Sequence, residues 1–99
     1  MVIGTLELHL RLEGCFSLKD KRQVLRSLLD RSRRDFHVSV AEVGDQDLWN
    51  VATIGVACVS NDAGHAESIL NKVLELFESS PVISVESANR SIERRSDGE

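Results

Sequence analysis

The stretch VIGTLELHLRL, residues 2–12, alternates between apolar and polar side chains along almost its whole length. The even positions hold Val2, Gly4, Leu6, Leu8, Leu10 and Leu12, and the odd positions include Thr5, Glu7, His9 and Arg11. Because successive side chains of a strand point to opposite faces, this pattern predicts a long β-strand with one buried face. The leucine face then needs a cover, which amphipathic helices elsewhere in the chain can supply.

The first such helix is predicted over about residues 18–34. Gly14 ends the strand, and Ser17 followed by Asp20 resembles a capping box that opens a helix. At 100° per residue its apolar side chains gather on one side, namely Leu18, Leu25, Leu28, Leu29 and Phe36. This helix can therefore lie across the leucine face.

A hairpin and a second helix follow. Residues 37–43 alternate and are rich in β-branched side chains, and the turn sequence GDQD at 44–47 leads into an apolar run over 48–59. Possible capping residues at 60–62 open the second helix, and Pro81 ends it. Its apolar stripe consists of Ala66, Ile69, Leu70, Val73, Leu74 and Phe77.

A short last strand is predicted over residues 82–85, which gives the order β-α-β-β-α-β. This order is typical of the α+β ferredoxin-like fold, or split βαβ, an antiparallel sheet with both helices on one face. Residues 1–88 are predicted to form a single ferredoxin-like domain. Residues 89–99, NRSIERRSDGE, lose apolar content and are predicted to be a polar, frayed C-terminal tail.

Composition predicts a cytoplasmic globular protein. Hydrophobic content of 41% and charged content of 28% are ordinary for that class, and no signal peptide or membrane span is recognisable. Cys15 and Cys58 lack the spacing of a zinc or redox motif, so free thiols are expected. We expect no metal site, no cofactor and no catalytic residue, and the protein is predicted not to be an enzyme.

Positive charge is concentrated in SLKDKRQVLRSLLDRSRR, residues 17–34. This segment carries a net charge of +5 in a chain of net charge −4, so the remainder carries −9. Four of its cations fall within about 60° on a helical wheel: Lys19, Arg22, Arg26 and Arg33. Such a ridge could follow the phosphates of RNA, or it could be a face that is merely solvated or paired with acidic protein surface.

Lys21 differs from these cations because its helical angle places it among the leucines. Since a cation in the first turn of a helix also meets the unfavourable end of the helix dipole, an acidic neighbour is expected. Glu42, Asp45 and Asp47 in the hairpin are the candidates for an internal ion pair. A bound anion is the alternative.

The aromatic residues give little support to RNA binding on the sheet. RNA-binding sheets of this architecture stack bases on aromatic side chains of their central strands, whereas Thr5, Glu7 and His9 occupy such positions here. The three phenylalanines, Phe16, Phe36 and Phe77, are assigned to the core, and Trp49 to the core or an interface.

Three stretches resemble the YlxP-like family of small uncharacterised bacterial proteins: SLKDKRQVL at 17–25, VAEVGDQDLW at 40–49 and IGVACVSND at 54–62. The resemblance runs from the first strand to about Glu78. It implies a ferredoxin-like fold, a bacterial cytoplasmic protein, and a gene commonly found among those for translation initiation and ribosome maturation. It implies no established activity.

Two functional hypotheses result. The first is a non-enzymatic protein that binds RNA or the ribosome through the basic helix. The alternative is a self-associating regulatory module, in which the open sheet face of a homodimer holds a small ligand at the joint. The interface of this alternative would contain Thr5, Glu7, His9, Arg11 and Trp49. Neither hypothesis involves a membrane or DNA.

Overall fold

A computed structural model, which describes residues 1–96, confirms the order β-α-β-β-α-β. The elements are β1 (Val2–Leu12), α1 (Leu18–Phe36), β2 (Ser39–Gly44), β3 (Val51–Ser60), α2 (Ala63–Glu78) and β4 (Ile83–Arg94). All strand pairs are antiparallel, and the strands form one sheet in the order β2-β3-β1-β4. The predicted ferredoxin-like fold is thereby confirmed.

The alternation in β1 determines which face of the sheet becomes the core. Leu6, Leu8 and Leu10 are fully buried, and α2 packs on β1, β3 and β4 while α1 packs on β2 and α2. These leucines join one hydrophobic cluster with Ile54 of β3 and Phe77 of α2. Among residues 1–96 no helix covers the opposite face, which is called the open face below.

The ends of α1 are fixed by local hydrogen bonds. The Ser17 hydroxyl accepts from the Asp20 N–H at 3.1 Å, and the Asp20 carboxylate accepts from the Phe16 N–H at 3.1 Å. At the other end His37 adopts a left-handed conformation (φ 55°), and its N–H donates to the Arg33 carbonyl. This cap comes after Phe36, so α1 is two residues longer than the basic segment predicts.

The last strand is much longer than predicted. β4 continues to Arg94, which pairs with Val2, so the expectation of a frayed tail from residue 89 is wrong over residues 89–94. Main-chain hydrogen bonds to β1 hold this strand, and its polar Asn89 and Ser91 point to the open face, where solvation costs nothing. The part of the predicted tail at 97–99 lies outside the described residues.

Within residues 1–96, neither helix combines the length and the hydrophobicity required to cross a lipid bilayer.

The extension of β4 can be tested at Ile92, which packs against the core although it lies in the polar segment. Ile92→Ala removes apolar contacts that are partly buried, so we expect the free energy of unfolding in urea to fall by about 1–2 kcal/mol. Ser91→Ala, one residue away and exposed, is the control and should change it by less than about 0.5 kcal/mol. Equal stability of both variants and wild type would mean that the segment is frayed.

Candidate functional site

The ammonium of Lys21 lies at the joint between α1 and the β2–β3 hairpin. Only 1% of the residue is accessible to solvent, and it is the largest of the fully buried side chains. Its Nζ donates to three backbone carbonyls of the hairpin, those of Asp45 at 2.8 Å, Leu48 at 2.5 Å and Val51 at 2.7 Å. An ammonium has three N–H groups, so these carbonyls use all of its donors.

Glu42 supplies the compensating negative charge. Its Oε2 lies 2.7 Å from Lys21 Nζ and forms an ion pair, beside the three carbonyls that accept the hydrogen bonds of the ammonium. The helix places Lys21 here because its wheel position belongs to the buried face, and the bulge in β2 after Glu42 adjusts the register of the hairpin. The structure thus contains an internal ion pair at Lys21.

The two aspartates proposed as partners of Lys21 do not act through their carboxylates. Asp45 contributes its carbonyl, adopts a left-handed conformation (φ 61°), and accepts at Oδ2 from the Thr53 hydroxyl at 3.0 Å. Aspartate tolerates this conformation better than most residues. Among residues 1–96, Asp47 makes no ion pair or hydrogen bond with Lys21. β3 begins at Val51 and not at residue 48, and residues 48–50 belong to the loop whose Leu48 carbonyl accepts from Lys21.

The exposed basic residues of α1 divide into two groups. Arg31 and Arg34 form ion pairs with Asp35, and Arg33 forms one with Asp30. Arg33 also donates from Nη2 to the Val40 carbonyl at 2.6 Å, which holds it against β2. The predicted ridge therefore loses Arg33 as an unpaired cation.

The other ridge residues stay unpaired. Lys19, Arg22 and Arg26 are exposed, and within residues 1–96 their side chains take part in no ion pair or hydrogen bond. We call these three residues the free flank of α1. A groove of about 360 Å³ runs beside it between α1 and β2, and its walls include Arg22, Arg26 and the Glu42 side chain.

An exposed aromatic pair lies where α1 begins. The rings of Phe16 and Trp49 stack with their centroids 6.4 Å apart and their planes at 30°. Phe16 is 79% exposed and Trp49 43% exposed, so the assignment of Phe16 to the core is wrong. We call these two side chains the aromatic pair.

A local signal explains why Phe16 is exposed. It precedes the N-cap Ser17, the position at which a hydrophobic residue usually packs on the fourth residue of the helix. That fourth residue is Lys21, whose side chain is directed into the hairpin. Phe16 therefore has no apolar partner within its own helix and stacks on the loop residue Trp49.

The open face holds most of the residues proposed for a dimer interface. Thr5, Glu7 and Arg11 are exposed and His9 is half-buried, while Trp49 stacks on Phe16 and so lies apart from them. A shallow trough of about 660 Å³ crosses all four strands. It is lined largely by small or polar side chains, including Thr5, Ser39, Ala41, Gly55, Ala57 and Ser91.

Beside the trough, polar side chains form a connected row. His9 Nε2 lies 3.3 Å from Glu7 Oε2, and His9 Nδ1 lies 3.4 Å from the hydroxyl of Thr53, which donates to Asp45. Arg11 forms an ion pair with Glu86 at 2.9 Å. These contacts pair several of the charged and polar side chains of the open face with one another.

The two thiols are free and buried. Burial raises the pKa of Cys15, and the nearby Asp20 carboxylate raises it further. Burial also raises the pKa of Cys58, although a hydrogen bond with the Gly4 backbone lowers it by a smaller amount. Cys15 near the start of α1 therefore lacks the lowered pKa of a reactive thiolate. Within residues 1–96, no three His, Cys, Asp or Glu side chains come together as a metal site.

Comparison with known proteins identifies the family. A family model described as "Protein of unknown function (DUF503)" matches residues 3–90. The chain belongs to the DUF503 family. The Bacillus subtilis (strain 168) protein called "Uncharacterized protein YlxP" is 38% identical over 82 residues, which cover 83% of this chain and 89% of that protein. The resemblance to the YlxP-like family is therefore confirmed.

A solved structure supports the fold of this DUF503 chain. It is the solution NMR structure of a de novo designed protein with a ferredoxin fold, which superposes with a TM-score of 0.59 at 11% sequence identity. The match covers 100% of this chain and 91% of the designed one. At this identity the similarity concerns the fold alone.

The contribution of Lys21 to stability can be measured with Lys21→Met, which keeps an unbranched side chain one atom shorter and removes the ammonium. Three carbonyls lose their donor and Glu42 loses its counterion, so we expect the free energy of unfolding to fall by about 3 kcal/mol or more. Lys19→Met, in the exposed part of the same turn, should change it by less than about 0.5 kcal/mol.

Adding Glu42→Gln to Lys21→Met removes the unpaired charge and should restore part of the lost stability, although the three carbonyls stay without a donor. The measurement is urea unfolding followed by far-ultraviolet circular dichroism. Wild-type stability of Lys21→Met would show that the ammonium does not hold the hairpin.

Proposed function

We propose that the protein acts in the cytoplasm by binding, without catalysing a reaction, and that it contacts RNA, free or within the ribosome, through the free flank of α1. The observation that carries this proposal is the division of the basic residues. Arg31 and Arg34 share the Asp35 carboxylate and Arg33 pairs with Asp30, whereas Lys19, Arg22 and Arg26 are exposed and their side chains are unpaired within residues 1–96.

The shape of the free flank suits a phosphate backbone. From Lys19 to Arg26 the helix rises about 10 Å, so the three cations form a short row along one side of α1. Glu42 borders the adjoining groove, but its charge is already balanced by Lys21. The row therefore keeps most of its positive potential.

The charge of the rest of the molecule favours a single orientation on RNA. Outside residues 17–34 the chain has a net charge of −9, which repels a polyanion. Attraction is therefore confined to one side of α1, and the contact area stays small. Binding through so few cations depends on counterion release and weakens as the salt concentration rises.

To test this proposal, total RNA or ribosomal subunits are immobilised, and retention is compared between Arg22→Glu/Arg26→Glu and Arg31→Glu/Arg34→Glu. Both double variants change the net charge equally and on the same helix. We expect the first to lose retention and to show a shallower dependence of the logarithm of affinity on the logarithm of salt concentration, by about 0.7 per lost contact to a single strand.

The second double variant should keep more of its retention than the first, because Arg31 and Arg34 already form ion pairs with Asp35. Circular dichroism of both variants verifies that they are folded. If the two variants are retained equally, or if both match wild type, the free flank is not the RNA contact.

The trough on the open face favours a second candidate function, self-association into a homodimer that holds a small ligand between two sheets. Its extent across all four strands gives a second copy a continuous surface to pack on. Light scattering over a range of protein concentrations tests this candidate. The candidate is supported if the measured mass rises toward that of two chains and if Thr5→Arg, which places a bulky charge on the open face, lowers it. A constant mass of one chain rejects the candidate.

A further inference from the structure

We propose that the aromatic pair, Phe16 and Trp49, is a stacking platform for an unpaired base of single-stranded RNA. The inference rests on the proposed function, since the free flank would hold the phosphates of the same strand. It adds to that function the kind of RNA that is bound, a single-stranded region such as a loop or an end.

Leaving the apolar rings of the aromatic pair in water costs the free protein free energy. Phe16 leaves 79% of its surface in water and Trp49 leaves 43%, and Leu48, the residue before Trp49, is also exposed. Single exposed apolar residues are common, but adjacent large ones that form a patch mark a binding surface. The stacking within the pair covers only part of each ring.

The structure holds the aromatic pair in place from both sides. The Phe16 N–H is bound by the Asp20 carboxylate at 3.1 Å. Next to Trp49, the Leu48 carbonyl is bound by Lys21 at 2.5 Å, and the Asn50 carbonyl accepts from the Leu12 N–H at 2.8 Å. The backbone that carries each ring is therefore ordered before any ligand arrives, which lowers the entropy cost of binding.

The aromatic pair lies at the end of α1 where the free flank begins, with the Asp20 carboxylate also at Phe16. Lys19 lies three residues after Phe16, in the first turn of α1, and Arg22 follows one turn later. Both cations are exposed and belong to the free flank. Aromatic faces beside a row of cations are the combination with which proteins bind single-stranded nucleic acid, because the rings stack on bases while the cations contact phosphates.

This arrangement predicts a preference for single strands over duplexes. In a duplex the bases are already stacked and paired, so no base face is available to Phe16 or Trp49 without unstacking, which costs free energy. In a loop or an end, a base is available at little cost. The free flank alone would not discriminate in this way, because both forms of RNA present phosphates.

The experiment measures binding of a short single-stranded RNA of mixed sequence, and of the same RNA annealed to its complement. Trp49 is the only tryptophan of the chain, so its fluorescence reports directly on the aromatic pair. We expect the single strand to quench this fluorescence and to bind more tightly than the duplex.

Two variants, Phe16→Leu and Trp49→Leu, remove an aromatic face but keep an apolar side chain. Binding by Phe16→Leu is measured by tryptophan fluorescence, and binding by Trp49→Leu is measured by the fluorescence anisotropy of labelled RNA. Each should weaken single-strand binding by about tenfold and leave the salt dependence unchanged, because the phosphate contacts remain. Val59→Ala is the control, since Val59 is an exposed apolar residue of β3 on the open face, and it should bind like wild type.

The outcomes separate this inference from the proposed function. If Arg22→Glu/Arg26→Glu binds RNA as wild type does, both the proposed function and the stacking platform are wrong. If RNA binding by that variant is weakened while Phe16→Leu and Trp49→Leu bind RNA as wild type does, only the stacking platform is wrong. The same holds if the duplex binds as tightly as the single strand. Self-association that Phe16→Leu abolishes would instead make the aromatic pair a contact between protein copies, which also overturns the inference.

Discussion

The Lys21 ammonium connects parts of the chain that would otherwise meet only through apolar packing. It lies in the first turn of α1, and the oxygens around it come from the end of β2, the hairpin loop and the start of β3. Burying an unpaired ammonium would cost many kcal/mol, so this side chain is tolerated only when the hairpin adopts one conformation. The position of the loop, and with it Trp49, thus depends on one residue of the helix.

The same helix uses its cations in three ways, and their surroundings decide which. Lys21 is internal. Arg31, Arg33 and Arg34 form ion pairs with two neighbouring aspartates, and the free flank is exposed to solvent without such pairs among residues 1–96. A net charge summed over residues 17–34 cannot distinguish these groups. The distinction matters for function, because only cations without a protein partner can neutralise a phosphate at little cost.

The sequence was sufficient for the fold because β1 alternates so regularly that one register buries every leucine. It was also sufficient to predict an acidic neighbour for Lys21, because a lysine at a leucine position of a helix needs a counterion. It did not predict that backbone carbonyls would take all the donors of the ammonium, since main-chain groups have no signature in a sequence. Phe16 was misassigned because hydrophobicity alone suggested the core, although the residue four positions into the helix, Lys21, offers it no apolar contact.

The extension of β4 over residues 89–94 affects how copies of the chain behave together. β4 is an edge of the sheet, so alternate peptide groups along it face outward and could accept a further strand from another molecule. The charged side chains Arg90, Glu93 and Arg94, together with the register shift opposite His9 and Leu10, make such an addition unfavourable. The polar side chains for which no strand was predicted here therefore also oppose the edge-to-edge strand addition by which fibrils grow.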